Sequence, residues 1–281
     1  MMPHKYYSQR TGNNPNLNGL PLDDVIELFL RIYQQLEDDG YFSEAFGFWC
    51  VDADHVPGKI RDIELEILLK IRKKHIWPIS QYCKGYSEDD LFDVIEFLYQ
   101  NVSKPVDGTM HNYNGCGMHW ETFNKKEGQV VFVEKINDLL SHYCNPFELS
   151  LEGEVLNKPD AGFETIFEAD VPTKDQNVRK RIESAVLRYR RHGSTIDDRR
   201  QAVRDLADVL EYLRPKMKTL LTKSDENDLF NIANNFGIRH HNAKQKTSYD
   251  TAIWLSWMFY FYLATLHVIL RKIDSDRKAE S

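Results

Sequence analysis

The chain has 281 residues, 42% apolar and 12% aromatic, enough to bury one large core or two ordinary ones, which excludes a chain disordered by composition. Its formal charge of −7 is uneven, −10 over residues 1–159 and +3 over 160–281, so the first part is a poor partner for nucleic acid while the second can carry a basic patch. Cys50, Cys83, Cys116 and Cys144 contain no C-x-x-C pair and fit reduced thiols, and the N-terminal "MMPHKYYSQRTGNN" lacks the apolar run of a secretory signal, so a cytoplasmic protein is expected.

"PLDDVIELFLRIYQQLEDDG" predicts a helix: Val25, Leu28, Phe29 and Tyr33 recur at helical spacing, acids fill the first turn and Gly40 stops it. "GKIRDIELEILLKIRKKHIWP" reads as a second helix ended by Pro78. "SEDDLFDVIEFLYQNVSKP" is a third, with Ser87 as N-cap and Pro105 closing it. "EKINDLLSHYC" gives a shorter helix, and "FELSLEGEVL" alternates around Glu152-Gly153 as a β-hairpin does. The turn-rich segment that follows places a domain boundary between 159 and 160.

Beyond the boundary the pattern is helical throughout. Val178, Ile182, Ala185, Val186 and Tyr189 form one apolar face, ended by Gly193. "TIDDRRQAVRDLADVLEYLRPKM" carries Val203, Leu206, Leu210 and Leu213 at the spacing of bundle packing. Ser224 is read as the cap of "DENDLFNIANNFG", with Gly237 as its left-handed stop. The last helix has no charge from Thr251 to Leu270, nearly the length of a bilayer span. Its Ser256, Thr265, His267 and tyrosines favour burial in protein, so no membrane association is expected. The expected fold is mainly α: an N-terminal helical domain with a small β-hairpin over 1–159, and a four-helix bundle over 160–281.

Phosphate-loop, Rossmann, H-E-x-x-H and G-x-S-x-G signatures are absent. Two polar clusters remain. In "HNYNGCGMHW", Cys116 and His119 have the spacing of two metal ligands and His111 can be a third, but no second pair has matching spacing. The plainer reading is a tight Gly-rich loop whose cysteine and aromatic residues pack inward, so no metal or other cofactor is expected.

The second cluster is "ANNFGIRHHN" at 233–242, followed by Lys244 and Lys246. Histidine titrates near neutral pH, arginine matches phosphate oxygens through two donors, and asparagine can orient either. The helix "VRKRIESAVLRYRRHG" adds Arg181 and Arg188, seven apart and hence on one face, with Arg191 after them, a stripe able to follow a phosphate backbone.

A four-helix bundle with a polar His motif at its last interhelical loop resembles the HEPN superfamily, and most closely its abortive-infection AbiJ-like type, whose motif runs roughly R-N-x-x-G-x-x-H. Asn234, Gly237 and His240 match, while Ala233 occupies the arginine position. The N-terminal part is similar to AbiJ-type N-terminal domains through "YYSQRTG", "HNYNGCGMHWETFN" and "YCNPFELSLEGEV". The resemblance implies an anti-phage or toxin-like effector: a metal-independent endoribonuclease with its site formed across a homodimer, and an antitoxin or phage-derived trigger as possible partner. It implies His240 as acid/base, His241 as second candidate base, Arg239 on the phosphate and Asn234 orienting them. Arg181, Arg188, Arg191, Lys244 and Lys246 are the expected RNA contacts. The alternative is a non-catalytic dimeric module that binds RNA or a protein.

Overall fold

The computed structural model describes residues 6–160, 162–217, 220–235 and 251–279, with side chains except at 168, 232–235, 251 and 276–279. It is mainly helical with small two-stranded sheets, and it divides into two compact units, Met1–Leu156 and Asn157–Ser281.

In the first unit α1 (Tyr7–Thr11) leads to α2 (Leu22–Asp38), α3 (Ser43–Phe46) and a hairpin of β1 (Phe48–Cys50) and β2 (Asp54–Val56). Then come α4 (Ile63–Lys70), α5 (Ile79–Tyr82), α6 (Glu88–Asn101), the hairpin of β3 (Lys104–His111) and β4 (Gly117–Asn124), α7 (Lys125–Ser141), and a sheet of β5 (Phe147–Leu149) and β6 (Val155–Asn157). The core forms where three amphipathic stripes meet: Val25, Phe29 and Leu36 of α2, Leu91, Ile95 and Leu98 of α6, and Phe132, Ile136 and Leu140 of α7. Phe42, Phe46 and Phe97 extend it as a run of ring contacts. At α6 the Ser87 hydroxyl accepts from the Asp90 N–H at 3.2 Å and the Asp90 carboxylate accepts from the Ser87 N–H at 2.9 Å, a reciprocal cap. Asn137 of α7 reaches β5 with both ends of its amide, donating to Leu149 O at 2.9 Å and accepting from Leu149 N at 2.6 Å.

Three expectations need correction. The helix expected over 58–78 ends at Lys70, because Arg72 and His75 take left-handed φ values of 63° and 60°. Lys73, between them, is drawn to α6, where its Nζ lies 2.7 Å from both Asp90 and Asp93. The helix expected from 134 begins at Lys125, capped by Asn124, whose side chain accepts from Glu127 N at 3.2 Å. The Gly-rich segment around 108–120 is no simple loop but most of the β3–β4 hairpin, and Pro105 lies within β3.

The second unit contains α8 (Glu164–Glu168), α9 (Gln176–Arg190), α10 (Ile196–Met217), α11 (Lys223–Asn235) and α12 (Thr251–Ala279). Helix α10 packs against α9, α11 and α12. Its Val203, Leu206, Leu210 and Leu213 are all buried, as are Val178, Ile182 and Ala185 of α9 and Leu255, Phe259 and Leu266 of α12. Tyr189 joins α9 to α12 by stacking on Phe259 at 3.9 Å between ring centres and donating to Ser256 Oγ at 2.8 Å. The cap of α11 is Thr222 rather than Ser224: its hydroxyl accepts from Asp225 N at 3.3 Å. Helix α12 is long and apolar enough to cross a membrane, but just over half of its most apolar window is buried inside the unit.

His267 sits on the buried side of α12 at 7% exposure, and burial first, then the Arg271 charge, lowers its pKa below 6.5. The neutral imidazole is therefore favoured in the folded unit. Between the lowered value and the ordinary one the unfolded chain binds more protons, so stability is lost as pH falls through about 6.5 and stops falling below the folded pKa. In thermal melts at pH 7.5 and pH 5.5, His267→Leu is expected to lose a measurable part of the wild-type drop in Tm. An equal drop in both proteins would show that His267 contributes nothing to it.

Candidate functional site

Arg239, His240, His241, Lys244 and Lys246 lie outside the described residues, as does Gly237, and Asn234 is described only as backbone near the end of α11.

The basic helix α9 is described, and its arginines have different environments. Arg188 lies 3.6 Å from Asp205 of α10, and Arg179 lies 4.0 Å from Glu183 while donating to Thr173 O at 3.0 Å. Arg190 is buried, donates to Asn157 O at 3.0 Å and lies 5.0 Å from the centre of the Phe167 ring. Arg191 ends the helix, exposed. Exposed Arg181 points elsewhere. With Lys180 and Asn177 it lines a groove of about 440 Å³ closed on the α10 side by Val209 and Tyr212. Among the described residues neither Lys180 nor Arg181 has an ion-pair partner, and Tyr212 is 61% exposed. The stripe expected along Arg181, Arg188 and Arg191 is thus divided: Arg188 is tied to an acid, whereas Arg181 shares a groove with a second cation and an open ring. Sequence reading gave Lys180 only as one of the basic residues of this helix and missed Tyr212, because the groove is made by two helices whose register no spacing reveals.

A second constellation lies in the first unit. Cys50 ends β1, His111 ends β3, Cys116 follows the turn between β3 and β4, and His119 lies on β4. One ligand atom from each, the two sulfurs and one ring nitrogen per histidine, lie within 4.8 Å of one another. Cys50 Sγ is 3.8 Å from His111 Nδ1, and Cys116 Sγ is 3.2 Å from His119 Nε2. The other nitrogen of His111, Nε2, lies 3.2 Å from Asp52 Oδ2. His119 is framed by the Phe48 ring at 4.8 Å and the His111 ring at 4.9 Å.

Local backbone explains the convergence. Register pairs His111 with Gly117 and Thr109 with His119, so both histidines project from one face of the hairpin as diagonal neighbours. The turn reverses through left-handed φ at Asn114 (51°), Gly115 (74°) and Gly117 (96°), which sets Cys116 as its last residue, directly before β4. The β1–β2 turn brings Cys50 and Asp52 together. These four side chains have the donor set of a transition-metal ligand shell. Sequence spacing found three of them. Cys50, 61 residues from His111, has no local signal that joins it to the rest.

No protein-family model matches the chain, and no curated protein or solved structure matches it.

Proposed function

We propose that the chain is an RNA-directed effector of the HEPN, AbiJ-like type. Its C-terminal four-helix bundle engages and cuts RNA in the cytoplasm, and its N-terminal unit answers to a partner or trigger. The observation that carries this reading is the α9–α10 groove, where Lys180 and Arg181 stand beside the exposed Tyr212. Cations hold phosphates without regard to sequence, and an open aromatic ring stacks on any base, the combination that single-stranded nucleic acid requires.

In the proposed reaction His240 takes the proton of a ribose 2′-hydroxyl as that oxygen attacks the adjacent phosphorus. The O2′–P bond forms and the P–O5′ bond breaks. A proton passes to the departing 5′-oxygen, with His241 as the second candidate for this exchange. Arg239 holds the phosphate oxygens and Asn234 orients the group. The products are a 2′,3′-cyclic phosphate and a 5′-hydroxyl, and the residues named supply acid/base work and charge stabilisation. The second reading, a non-catalytic module that binds RNA or a protein, is favoured by Ala233 at the position of the family arginine.

Dimerisation through α12 belongs to the same proposal. Ile253, Trp257 and Val268 lie close to one line along this helix and are 66%, 41% and 61% exposed, an apolar strip that a second copy would cover.

Three outcomes are expected. Changing Lys180 and Arg181 to Glu should weaken binding of unrelated single-stranded RNAs alike and lower the salt slope by about 0.7 for each phosphate no longer neutralised. An unchanged slope would mean that the groove meets solvent only. Light scattering on the full chain should give a dimer mass, and Val268→Asp should shift it towards monomer with helicity retained. A wild-type monomer at micromolar concentration would remove the composite site. His240→Ala should abolish cleavage with little change in Tm, and Arg239→Lys should cut it strongly, since lysine keeps the charge and loses the two-donor fork. If the wild type cuts nothing, Ala233→Arg should restore cleavage with cyclic phosphate ends. Failure of that variant too would favour the binding module.

A further inference from the structure

We propose that Cys50, His111, Cys116 and His119 bind one zinc ion, which fastens the β1–β2 hairpin to the β3–β4 hairpin. This inference is independent of the RNA-directed reading, because it rests on a different unit and on different residues.

Tetrahedral zinc takes sulfur at about 2.3 Å and imidazole nitrogen at about 2.0–2.1 Å, so a sulfur and a nitrogen sharing the ion stand about 3.6 Å apart. The two sulfur–nitrogen separations here, 3.8 and 3.2 Å, lie on either side of that value. No ligand atom of the four is farther than 4.8 Å from another, so a single ion can reach all of them with small side-chain adjustments. Hydrogen bonding between each Cys–His pair would account for two short contacts but not for the two pairs gathering around one point.

The surroundings agree with this. A zinc-bound histidine usually passes its remaining ring N–H to a carboxylate, which fixes the tautomer and strengthens the ligand. His111 turns Nδ1 towards Cys50 and Nε2 towards Asp52, so the metal-facing and carboxylate-facing nitrogens are the two different ones that this arrangement demands. Asp52 and Cys50 share one turn, so β1–β2 supplies both a ligand and the outer carboxylate. The ionic balance closes as well. Two thiol S–H bonds break, two Zn–S bonds form and two protons leave to solvent. The ion with two thiolates and two neutral imidazoles is then uncharged, and no electron is transferred.

Four protein ligands of two sulfurs and two nitrogens leave no open position, which is the form of a structural rather than a catalytic zinc site. Such a clamp has a clear task here. Strands β1 and β2 have three residues each, and isolated two-stranded hairpins are marginal in water. Cys50 is only 4% exposed, so its thiol is held at the inner side of the hairpin rather than left as a reactive surface group.

The test uses the full chain purified under reducing conditions without chelator. Metal analysis should give one zinc per chain. Replacement by cobalt(II) should give the visible bands of a tetrahedral ion and a thiolate charge-transfer band. Cys144→Ser, which lies outside the cluster, should keep the full zinc content, and Cys50→Ser with Cys116→Ser should lose it. Because that pair of changes can also unfold the unit, Asp52→Asn is the finer probe. It leaves all four ligands in place, so the variant should fold and bind zinc about 10- to 100-fold more weakly against a chromophoric chelator. The proposal is overturned by wild type with negligible zinc that still melts cooperatively, by an octahedral cobalt spectrum, by a Cys50–Cys116 disulfide in freshly reduced protein, or by Asp52→Asn binding zinc as tightly as wild type.

Discussion

The register of β3 against β4 is the constraint on which the polar architecture of the first unit depends. Pairing runs from Lys104 with Asn124 to His111 with Gly117, and it is interrupted twice. The first irregularity places Val106 as an extra residue on β3, and the second places Glu121 as an extra residue on β4. Either alone would slip the strands by one residue and turn His119 to the opposite face. Together they cancel, so His111 and His119 share a face beyond them. The pairing there is tight enough to exclude a side chain at position 108, where a Cβ would stand 2.3 Å from His119 O and 2.8 Å from Trp120 Cα. Glycine at 108 is therefore a condition of the hairpin that carries His119.

The second unit is organised around α10, one face of which is buried against its neighbours while the other distributes charge. Its Arg214 is held by Glu211 at 3.1 Å and by Glu226 of α11 at 2.5 Å, and it lies 4.6 Å from the centre of the Phe230 ring. Its Asp205 occupies Arg188. The pairs with Glu226 and Asp205 use cations to join helices. A cation that is neutralised by a carboxylate and fixed against an aromatic ring has little left to offer a phosphate, because a ligand would first have to displace its partner. Lys180 and Arg181 carry no such cost, which is why the proposed RNA surface centres on them and not on the whole basic run of α9.

The helices were legible where long periodicity and a capping residue agreed. Ser87 and the acids behind it marked the start of α6, and Val203, Leu206, Leu210 and Leu213 marked the buried face of α10. The β3–β4 hairpin was not legible because Gly108, Gly115 and Gly117, with two compensating bulges, erase the alternation by which a strand is recognised. The first turns of α7 were hidden by "NKKEGQ", whose polar residues and glycine read as loop although Asn124 caps them. For the Cys/His cluster, Cys116 and His119 were visible as a local pair, but Cys50 joins them only through tertiary folding. A ligand set with one member 61 residues from the next cannot be assembled from spacing alone.

The amide of Asn137 has a consequence of another kind. By donating to the Leu149 carbonyl and accepting from the Leu149 N–H, it presents to β5 the same donor and acceptor that a neighbouring strand would present. A side chain on a helix thus acts as a strand one residue long. Unlike a real strand it has no next residue, so the ladder stops there. The exposed rim of a small sheet is where foreign extended chains tend to add themselves, and short strands are one defence against it. Here the helix supplies a second, by occupying the backbone groups of Leu149 with an amide that offers no further rung to an incoming chain.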